Sequence, residues 1–442
     1  MNAKMIKSLG VATLLMLFVT KVNAQYTEVM NKKGLTKSLN KDYNLKDDNA
    51  KTDQSDKLVK AIDDVNSKGG GIIKIDKGVY RFSGVNLKSN VHILIEGGTV
   101  IKPASSVVFN FSVDNKTEKK NPKAFIKNVS VRGNGGAFII DYHTHKYKDR
   151  QRAIIAKMVQ NFLIQDMIVK DNYSVYCGIT LAPANEKVAD VKNWEVSRAS
   201  YGTIRNITHY NASPGYGLVQ CHGAQNVHFE NLYSEGGVTF RLEVGANNKN
   251  VGVFDLTAKN IINKNGRAAV MLGPHSAKNG IIKVDGVTSI SSTFAVTVGD
   301  GGVKKDAPDQ TPGYFHKDSS IDNVVAIYGK SAQVKGPTLL EFPKVDDYFD
   351  YLKVFSDGKF YEGPSVTAVH YGPTTYSIKL GKNIKMKGFP HHNNKPIVTR
   401  SDTRKASWGA EKKAWKAAHP GSEFISDKGV LVKDYQVKAY QF

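Results

Sequence analysis

The chain has 442 residues and a formal net charge of +22 at pH 7. That length suits two or three ordinary domains or one long repetitive domain. Its two cysteines, Cys177 and Cys221, exclude a zinc site at their spacing, and the sequence leaves open whether they form a disulfide.

The first 24 residues have the pattern of a secretory signal peptide. Lys4 and Lys7 precede an apolar run over residues 9–19, and small residues end at Ala24. We therefore expect cleavage after Ala24 and an extracellular or periplasmic protein. No later stretch is apolar enough to insert into a membrane. Outside a cell, the positive charge favours an anionic polysaccharide as partner over nucleic acid.

Residues 25–52 are polar and predict an irregular, mobile leader. A helix is predicted from Asp53, because Leu58, Ile62 and Val65 recur at helical spacing and the glycines from Gly69 end the pattern. Either Asp53 or Ser55 can cap it. A solenoid needs a cap on its open end, and this helix is suited to that role.

A loose repeat follows, in which an asparagine precedes alternating apolar residues. It occurs in KNVSVRG, QNFLIQDMIV, QNVHFENLYSEGG, KNVGVFDLTAKNI, KNGIIKVDGVTSI and DNVVAIYG. A period of 20–50 residues is typical of a solenoid. The pattern predicts an all-β fold over residues 53–400: a right-handed, single-stranded parallel β-helix, which is a pectin-lyase-like solenoid. A two-sheet sandwich is the competing fold.

Two segments depart from the repeat. Residues 303–360 predict a loop excursion that forms a wall of a groove. The basic and partly helical residues 401–442 predict a C-terminal cap or tail.

The stretch VTFRLEV alternates apolar and polar residues. Alternate side chains on a strand face opposite sides, so Arg241, Glu243 and Gly245 share the outer face. Positions i and i+2 lie roughly 6.5–7 Å apart, and an inverting glycosidase needs two carboxyl groups roughly 6.5–9.5 Å apart. Here the position of a second carboxylate holds Gly245. The alternative is a surface ion pair of Arg241 and Glu243, of little energetic value.

Four stretches resemble glycoside hydrolase family 82, the iota-carrageenases: GYGLVQ, NVHFENLYSEGGVTFRLE, AAVMLGPHSAKNG and GPSVTAV. The resemblance covers roughly residues 200–300 and a later patch. It implies the same β-helix and hydrolysis of β-1,4 linkages of iota-carrageenan, a sulfated galactan, with inversion. It implies no required cofactor, although a structural calcium or other ion is compatible with it, and it leaves any metal ligand unknown.

The resemblance also assigns residues. Glu243 matches the general acid, and Gln220 and His275 match residues that help build the site. Arg241 belongs to the same motif, and we assign it to substrate binding. Gly245 stands where the family has its general base.

A further active-site carboxylate of the family aligns with Lys304 or Lys305, which we assign to binding of the anionic substrate. Asp300 is the first candidate for a substitute base, and Asp306 is the second. A turn role for Asp300, in an Asp-Gly pair, is the alternative.

Two other functions remain open. The first is a protein that binds sulfated galactan without cleaving it, which would explain why two of the family's active-site acids are missing. A pectate-lyase-like lyase fits the fold, but it needs clustered acidic calcium ligands that the sequence does not show.

Overall fold

The computed structural model describes residues 25–403 except 32–33, 105, 122–123, 148, 184–197, 245–250, 306–307, 336–352, 355–359 and 391–394, and also residues 413 and 417. The predicted signal peptide, Gly245, Asp306 and most of the predicted cap at 401–442 lie outside these residues. Within them, no helix combines the length and apolar character needed to cross a membrane.

The N-terminal half contains these elements in chain order: β1 (Leu35–Ser38), α1 (Leu39–Asp42), α2 (Ser55–Ser67), β2 (Gly71–Ile75), β3 (Val79–Tyr80), β4 (Val85–Asn86), β5 (Val91–Glu96), β6 (Val100–Ile101), β7 (Val107–Phe111), α3 (Asn115–Lys120), β8 (Ile126–Asn134), β9 (Phe138–Asp141), β10 (Arg152–Ala156), β11 (Val159–Lys170), β12 (Ile179–Leu181) and β13 (Ala199–Cys221).

The remaining elements are β14 (Ala224–Glu243), β15 (Val253–Phe254), β16 (Leu256–Lys264), β17 (Ala268–Gly273), β18 (Lys278–Asn279), β19 (Ile282–Ile290), β20 (Phe294–Val298), β21 (Tyr314–Phe315), β22 (Ser320–Ile327), β23 (Ala332–Lys335), β24 (Lys353–Val354), β25 (Phe360–Gly363), β26 (Thr367–Tyr371), β27 (Lys379–Leu380), β28 (Ile384–Lys387), β29 (Ile397–Thr399) and a 3₁₀ helix (Arg400–Asp402).

The strands stack in parallel from one coil to the next. Among the described residues, 24 strands form one continuous sheet. One face of the solenoid continues from β7 through β10, β12, β13, β14, β17, β20 and β26 to β29. This confirms the predicted right-handed parallel β-helix rather than the sandwich.

The core is a set of columns of apolar side chains inside the coils. The predicted inward residues of β14 and of the position just after it are all fully buried: Val238, Phe240, Leu242 and Val244. Phe240 stands in register with the buried valines of four neighbouring strands: Val219, Val270, Val296 and Val369. Each such side chain contributes about 1.5–3 kcal/mol by burial, so the columns fix which face of each strand points outward.

Asparagines form hydrogen-bonded ladders at the bends between strands. Asn90, Asn128 and Asn161 all have a left-handed backbone, with φ of 64°, 57° and 53°. The Asn128 amide donates to Asn90 Oδ1, and the Asn161 amide donates to Asn128 Oδ1, both at 2.8 Å. Asn tolerates this backbone better than most residues, which explains the Asn of the sequence repeat.

A second ladder follows another bend. Asn231 donates to Asn206 at 2.9 Å, and Asn260 donates to Asn231 at 2.8 Å. Each rung holds one coil at a fixed position relative to the next.

Helix α2 covers the N-terminal end of the solenoid, as predicted. Its apolar side is buried through Leu58, Ala61, Ile62 and Val65. The expectation that Asp53 or Ser55 caps this helix is wrong: the N-cap residue is Gln54, and its side chain makes no capping hydrogen bond. Asp53 Oδ1 instead accepts from the Ser55 backbone N–H at 2.9 Å.

The prediction of an irregular, mobile leader over residues 25–52 is wrong in part, because β1 and α1 lie within it. Residues of β1 pair in parallel with β2, and α1 follows directly. Further upstream, Glu28 makes two hydrogen bonds of 2.8 Å to Arg132, and the Thr27 backbone bonds Asn161. Tertiary pairing therefore orders a segment that has no apolar period of its own.

The excursion predicted over residues 303–360 is wrong in part, because β22 returns to the solenoid and pairs with β19 and β28. Strands β23, β25 and β24 form a separate antiparallel sheet. Gln333 of β23 is buried; it accepts from the Gly237 N–H at 2.6 Å and donates to the Ala212 carbonyl at 3.0 Å. This side chain anchors the excursion on the edge of β13 and β14.

We expect Asn128→Ala to lower the free energy of unfolding by about 2 kcal/mol, because alanine loses both ladder bonds and is strained at positive φ. Asn128→Gly keeps the backbone freedom and should lose about half as much. Urea unfolding measures both. Equal losses would show that the backbone conformation contributes nothing, and a loss below 0.5 kcal/mol for alanine would contradict a structural ladder.

Candidate active site

The site lies on the outer surface of the face formed by β12, β13, β14, β17, β20 and β26. One row across this face aligns Gln220, Arg241, Met271, Thr297 and His370 in register. These side chains come from positions up to 150 residues apart. The stacking of coils thus places them side by side.

The next row, two residues further along each strand, holds Glu243. Its partner in register on β17 is Gly273. The next two coils place Gly299 and Gly372 in line with Gly273, each donating its N–H to the preceding coil. A Cβ on Gly273 would have its nearest contact among the described residues at 3.8 Å, and one on Gly299 at 3.4 Å. A Cβ at either position would therefore make ordinary contacts, so these two glycines are not required by crowding of the backbone.

Arg241 links two of the predicted residues. Its Nη1 donates to Gln220 Oε1 at 2.8 Å, and its Nη2 forms an ion pair with Glu243 Oε2. Cys177 Sγ donates to the same Gln220 oxygen at 3.3 Å. Arg241 is only 8% exposed, so the alternative of a surface ion pair is wrong. Arg241 is instead a buried side chain whose ion pair fixes the position of the Glu243 carboxylate.

His275 reaches Glu243 from the next coil. His275 Nε2 lies 3.4 Å from Glu243 Oε1. Its backbone is left-handed, with φ of 47°, and its carbonyl accepts the Gly302 N–H at 2.6 Å. A non-glycine residue in this conformation costs about 1–3 kcal/mol and persists where the surroundings require it. The predicted set of Gln220, Arg241, Glu243 and His275 is thus assembled in one place.

A cavity of about 180 Å³ opens beside Glu243. It is lined by two carboxylates, Glu243 and Asp300, and by the basic side chains of Arg267, His275, His370 and Arg400. Sequence reasoning missed Arg267, His370 and Arg400. A single basic residue in a turn or at a strand end carries no local signal, and only the coil register brings these three together.

Asp300 lines the same cavity, but its carboxylate already has partners. Oδ1 accepts from the Thr374 N–H at 2.9 Å and from Thr375 Oγ1 at 3.2 Å, while Oδ2 accepts from Thr374 Oγ1 at 2.6 Å. Arg400 Nη1 lies 3.6 Å from Oδ2. These contacts fit the alternative of a turn residue, and they hold the loop after β26 against the cavity.

Burial raises the pKa of Glu243, but the opposing effects of His275, Arg241 and Arg267 are larger. Together they lower it from the ordinary 4.5 to about 2. Only 28% of the side chain is exposed, so screening by water is limited. Glu243 is therefore ionised in the substrate-free protein at neutral pH.

Lys304 and Lys305 do not line the cavity among the described residues. They lie in the loop after Asp300, where the Lys304 carbonyl accepts from Gln310 Nε2 at 3.2 Å. Their role in substrate binding stays a prediction.

The two thiols of Cys177 and Cys221 are buried and free, which answers the question of a disulfide. Burial raises the pKa of Cys177 to about 11, so it acts as a neutral hydrogen-bond donor.

Within the described ranges, no cluster of three or more His, Cys, Asp or Glu side chains is suited to hold a metal ion. A larger hollow of about 660 Å³ lies at the N-terminal cap, lined by α1, α2 and β1. It is at the end of the solenoid and holds none of the predicted site residues.

Two curated proteins are similar to this chain, and no family model matches it. An iota-carrageenase of Zobellia galactanivorans is 37% identical over 279 residues, which are 61% of this chain and 53% of the relative. An iota-carrageenase of Alteromonas macleodii is 34% identical over 283 residues, or 60% of this chain and 54% of the relative. The chain thus spans about half the length of the curated relatives it matches.

Solved structures are similar to this chain over a larger share of its length than the curated relatives are. A 1,3-α-1,4-β-D-galactose-4-sulfate-3,6-anhydro-D-galactose-2-sulfate 4 galactohydrolase has a TM-score of 0.74 and 28% identity, and the match covers 85% of this chain and 93% of that one. An iota-carrageenase of family GH82 from A. fortis, solved in the absence of chloride ions, has a TM-score of 0.73 and 25% identity, covering 85% and 92%. These matches confirm the resemblance predicted from the sequence.

The lowered pKa of Glu243 predicts a dependence of stability on pH. The ionised carboxylate stabilises the fold above pH 4.5, and this contribution is lost as the pH falls toward 2. We expect the stability difference between the parent and Glu243→Gln to shrink over that interval. Urea unfolding at about pH 7, 5 and 3 measures it. A difference that is the same at all three values would refute the ion-pair network.

Proposed function

We propose that this chain is a secreted glycoside hydrolase that cleaves β-1,4 linkages of iota-carrageenan with inversion, and that Glu243 is the general acid. One observation carries the proposal: contacts join Gln220, Arg241, Glu243 and His275 into one cluster. Glu243 and His275 of this cluster line the cavity. The similarity to the iota-carrageenases supplies the substrate class. The signal-peptide pattern that ends at Ala24 supports export.

The cavity is suited to an anionic substrate. Four basic side chains surround two carboxylates, and a sulfate ester has the charge and the acceptor oxygens to bind guanidinium groups. Gly273, Gly299 and Gly372 line the cavity beside Glu243 and add no side chain to it.

Glu243 must gain a proton before it can protonate a leaving oxygen. In the free protein its pKa is about 2, because His275, Arg241 and Arg267 outweigh the effect of burial. Sulfate groups bound to these cations weaken their effect on the carboxylate, and a sugar that displaces water increases the effect of burial. Both changes raise the pKa of Glu243. Binding of the substrate therefore favours the protonated form of Glu243, which is the form that a general acid needs.

The general base is assigned to Asp300. Asp300 is the second carboxylate lining the cavity in the described part of the chain. An inverting base binds a water molecule on the opposite face of the sugar. Because Thr374 and Thr375 already bond both oxygens of Asp300, we propose that it serves as base only if the loop after β26 releases it on substrate binding.

A non-catalytic binder of sulfated galactan is the second candidate, and the bonded state of Asp300 favours it. A reducing-end assay on purified iota-carrageenan separates the two. The lyase alternative gains no support from the described residues, since they hold no cluster of acidic ligands.

We expect Glu243→Gln to lower the rate of hydrolysis at least about a thousandfold, because the amide keeps the shape but cannot donate the proton. Binding of iota-carrageenan oligosaccharides should change little. Reducing-end production and calorimetry measure the two effects. Activity within tenfold of the parent would remove Glu243 from the role of general acid.

For Asp300, the matched pair Asp300→Asn and Thr374→Ala separates a base from a loop anchor. If Asp300 is the base, Asp300→Asn lowers kcat by about two to four orders of magnitude, whereas Thr374→Ala leaves kcat within tenfold. If Asp300 only anchors the loop, both variants lower the unfolding temperature and have similar, small effects on kcat. That second outcome would refute the base assignment.

A further inference from the structure

We propose that Arg152 and Tyr176 form a binding subsite for a sulfate ester on the N-terminal side of Glu243. The inference rests on the proposed function, since it assigns a second binding position along the same polysaccharide. It concerns residues that neither the sequence motifs nor the cavity beside Glu243 include.

Within the described part of the chain, no carboxylate pairs with Arg152. Its guanidinium carbon lies 3.8 Å from the centre of the Tyr176 ring, and both side chains are partly exposed. Burial has the largest effect on the pKa of Arg152 and lowers it, while Tyr176, Cys177, Tyr142 and Tyr216, none of which has a carboxylate, act in the opposite direction. An anion from solution would offset the cost of burying the cation.

A continuous line of aromatic and cationic side chains leads from Arg152 to Glu243. The Tyr176 ring meets the Tyr216 ring edge-on, with centroids 6.4 Å apart. The Arg241 guanidinium lies 5.6 Å from the Tyr216 ring centre, and Arg241 pairs with Glu243. The line therefore ends at the general acid.

The same line runs obliquely across the coils. Strands β10, β12, β13 and β14 are hydrogen-bonded in this order, and their register places Arg152 two residues before the row of Phe240 and Glu243 three residues after it. Neighbouring strands are about 4.8 Å apart, so the strand of Arg152 lies about 14 Å along the axis from the strand of Glu243. A polysaccharide that crosses these coils obliquely, with its scissile bond at Glu243, passes over both tyrosine rings and reaches Arg152.

Arginine suits this ligand better than other cations would. Its planar fork donates two parallel hydrogen bonds to a tetrahedral oxyanion, and the Tyr176 ring already fixes its orientation. The tyrosine rings present an apolar face with a polar tip to the sugar between the two charged positions. The specificity expected here is for a sulfated unit, and a neutral galactan would gain nothing from Arg152.

The test compares Arg152→Gln with Arg150→Gln, both in the Glu243→Gln background so that the ligand is not consumed. Arg150 is exposed and has no ring contact among the described residues. Its replacement by glutamine changes the net charge by the same amount as Arg152→Gln does. The probes are iota-carrageenan oligosaccharides and the same oligosaccharides after chemical desulfation, measured by calorimetry. Inorganic sulfate as a competitor distinguishes a sulfate-ester subsite from a simple anion site.

We expect Arg152→Gln to weaken binding of the sulfated oligosaccharide by roughly ten- to a hundredfold, the usual size of a charge-assisted contact. Binding of the desulfated one should stay within twofold, and Arg150→Gln should stay within twofold for both. Equal losses on both ligands would assign Arg152 a structural role and overturn the subsite, as would no loss on either. Inorganic sulfate that competes as well as the oligosaccharide would reduce the site to a simple anion site and also overturn it.

The proposed function fails separately. If the parent protein binds sulfated oligosaccharides through Arg152 but does not cleave them, the subsite stands and the chain is a binding protein. If the parent binds neither oligosaccharide, both the subsite and the proposed function are overturned.

Discussion

The parallel register between successive coils is the constraint on which the rest of the molecule depends. Backbone hydrogen bonds fix the axial spacing, and buried columns such as the one through Phe240 fix which side chains point outward. Because a slip of one residue would turn every outward side chain into the core, the register is strongly specified. The position of each chemical group on the surface follows from that single condition.

Within the site, Arg241 connects the structure to the proposed chemistry. It is buried against the strand, holds Gln220, and forms the ion pair that lowers the pKa of Glu243. This cation disfavours the protonated form of Glu243 in the free protein. Under the proposed function, an anionic substrate would reverse the balance, so the contact that stabilises the empty site would also give preference to a charged polysaccharide.

Local patterns in the sequence predicted what depends on one strand or one bend. The alternation around Glu243 identified its inward neighbours, and the repeated asparagines marked bends with a left-handed backbone. Strand β1 was not predictable, because LTKS has no period and is ordered by pairing with β2. Likewise, Arg400 meets Asp300 only after a hundred residues of intervening chain have been folded into coils.

The asparagine ladders have a consequence for how such a protein diversifies. The chain length between successive rungs is 38 residues from Asn90 to Asn128, 33 from Asn128 to Asn161, and 25 from Asn206 to Asn231. The rungs keep their geometry although the segments between them differ in length. Insertions and deletions in the connecting loops can therefore accumulate without displacing the strands. Proteins that descend from one ancestral solenoid can thus acquire new loops around the cavity and still keep the side chains of the site in register.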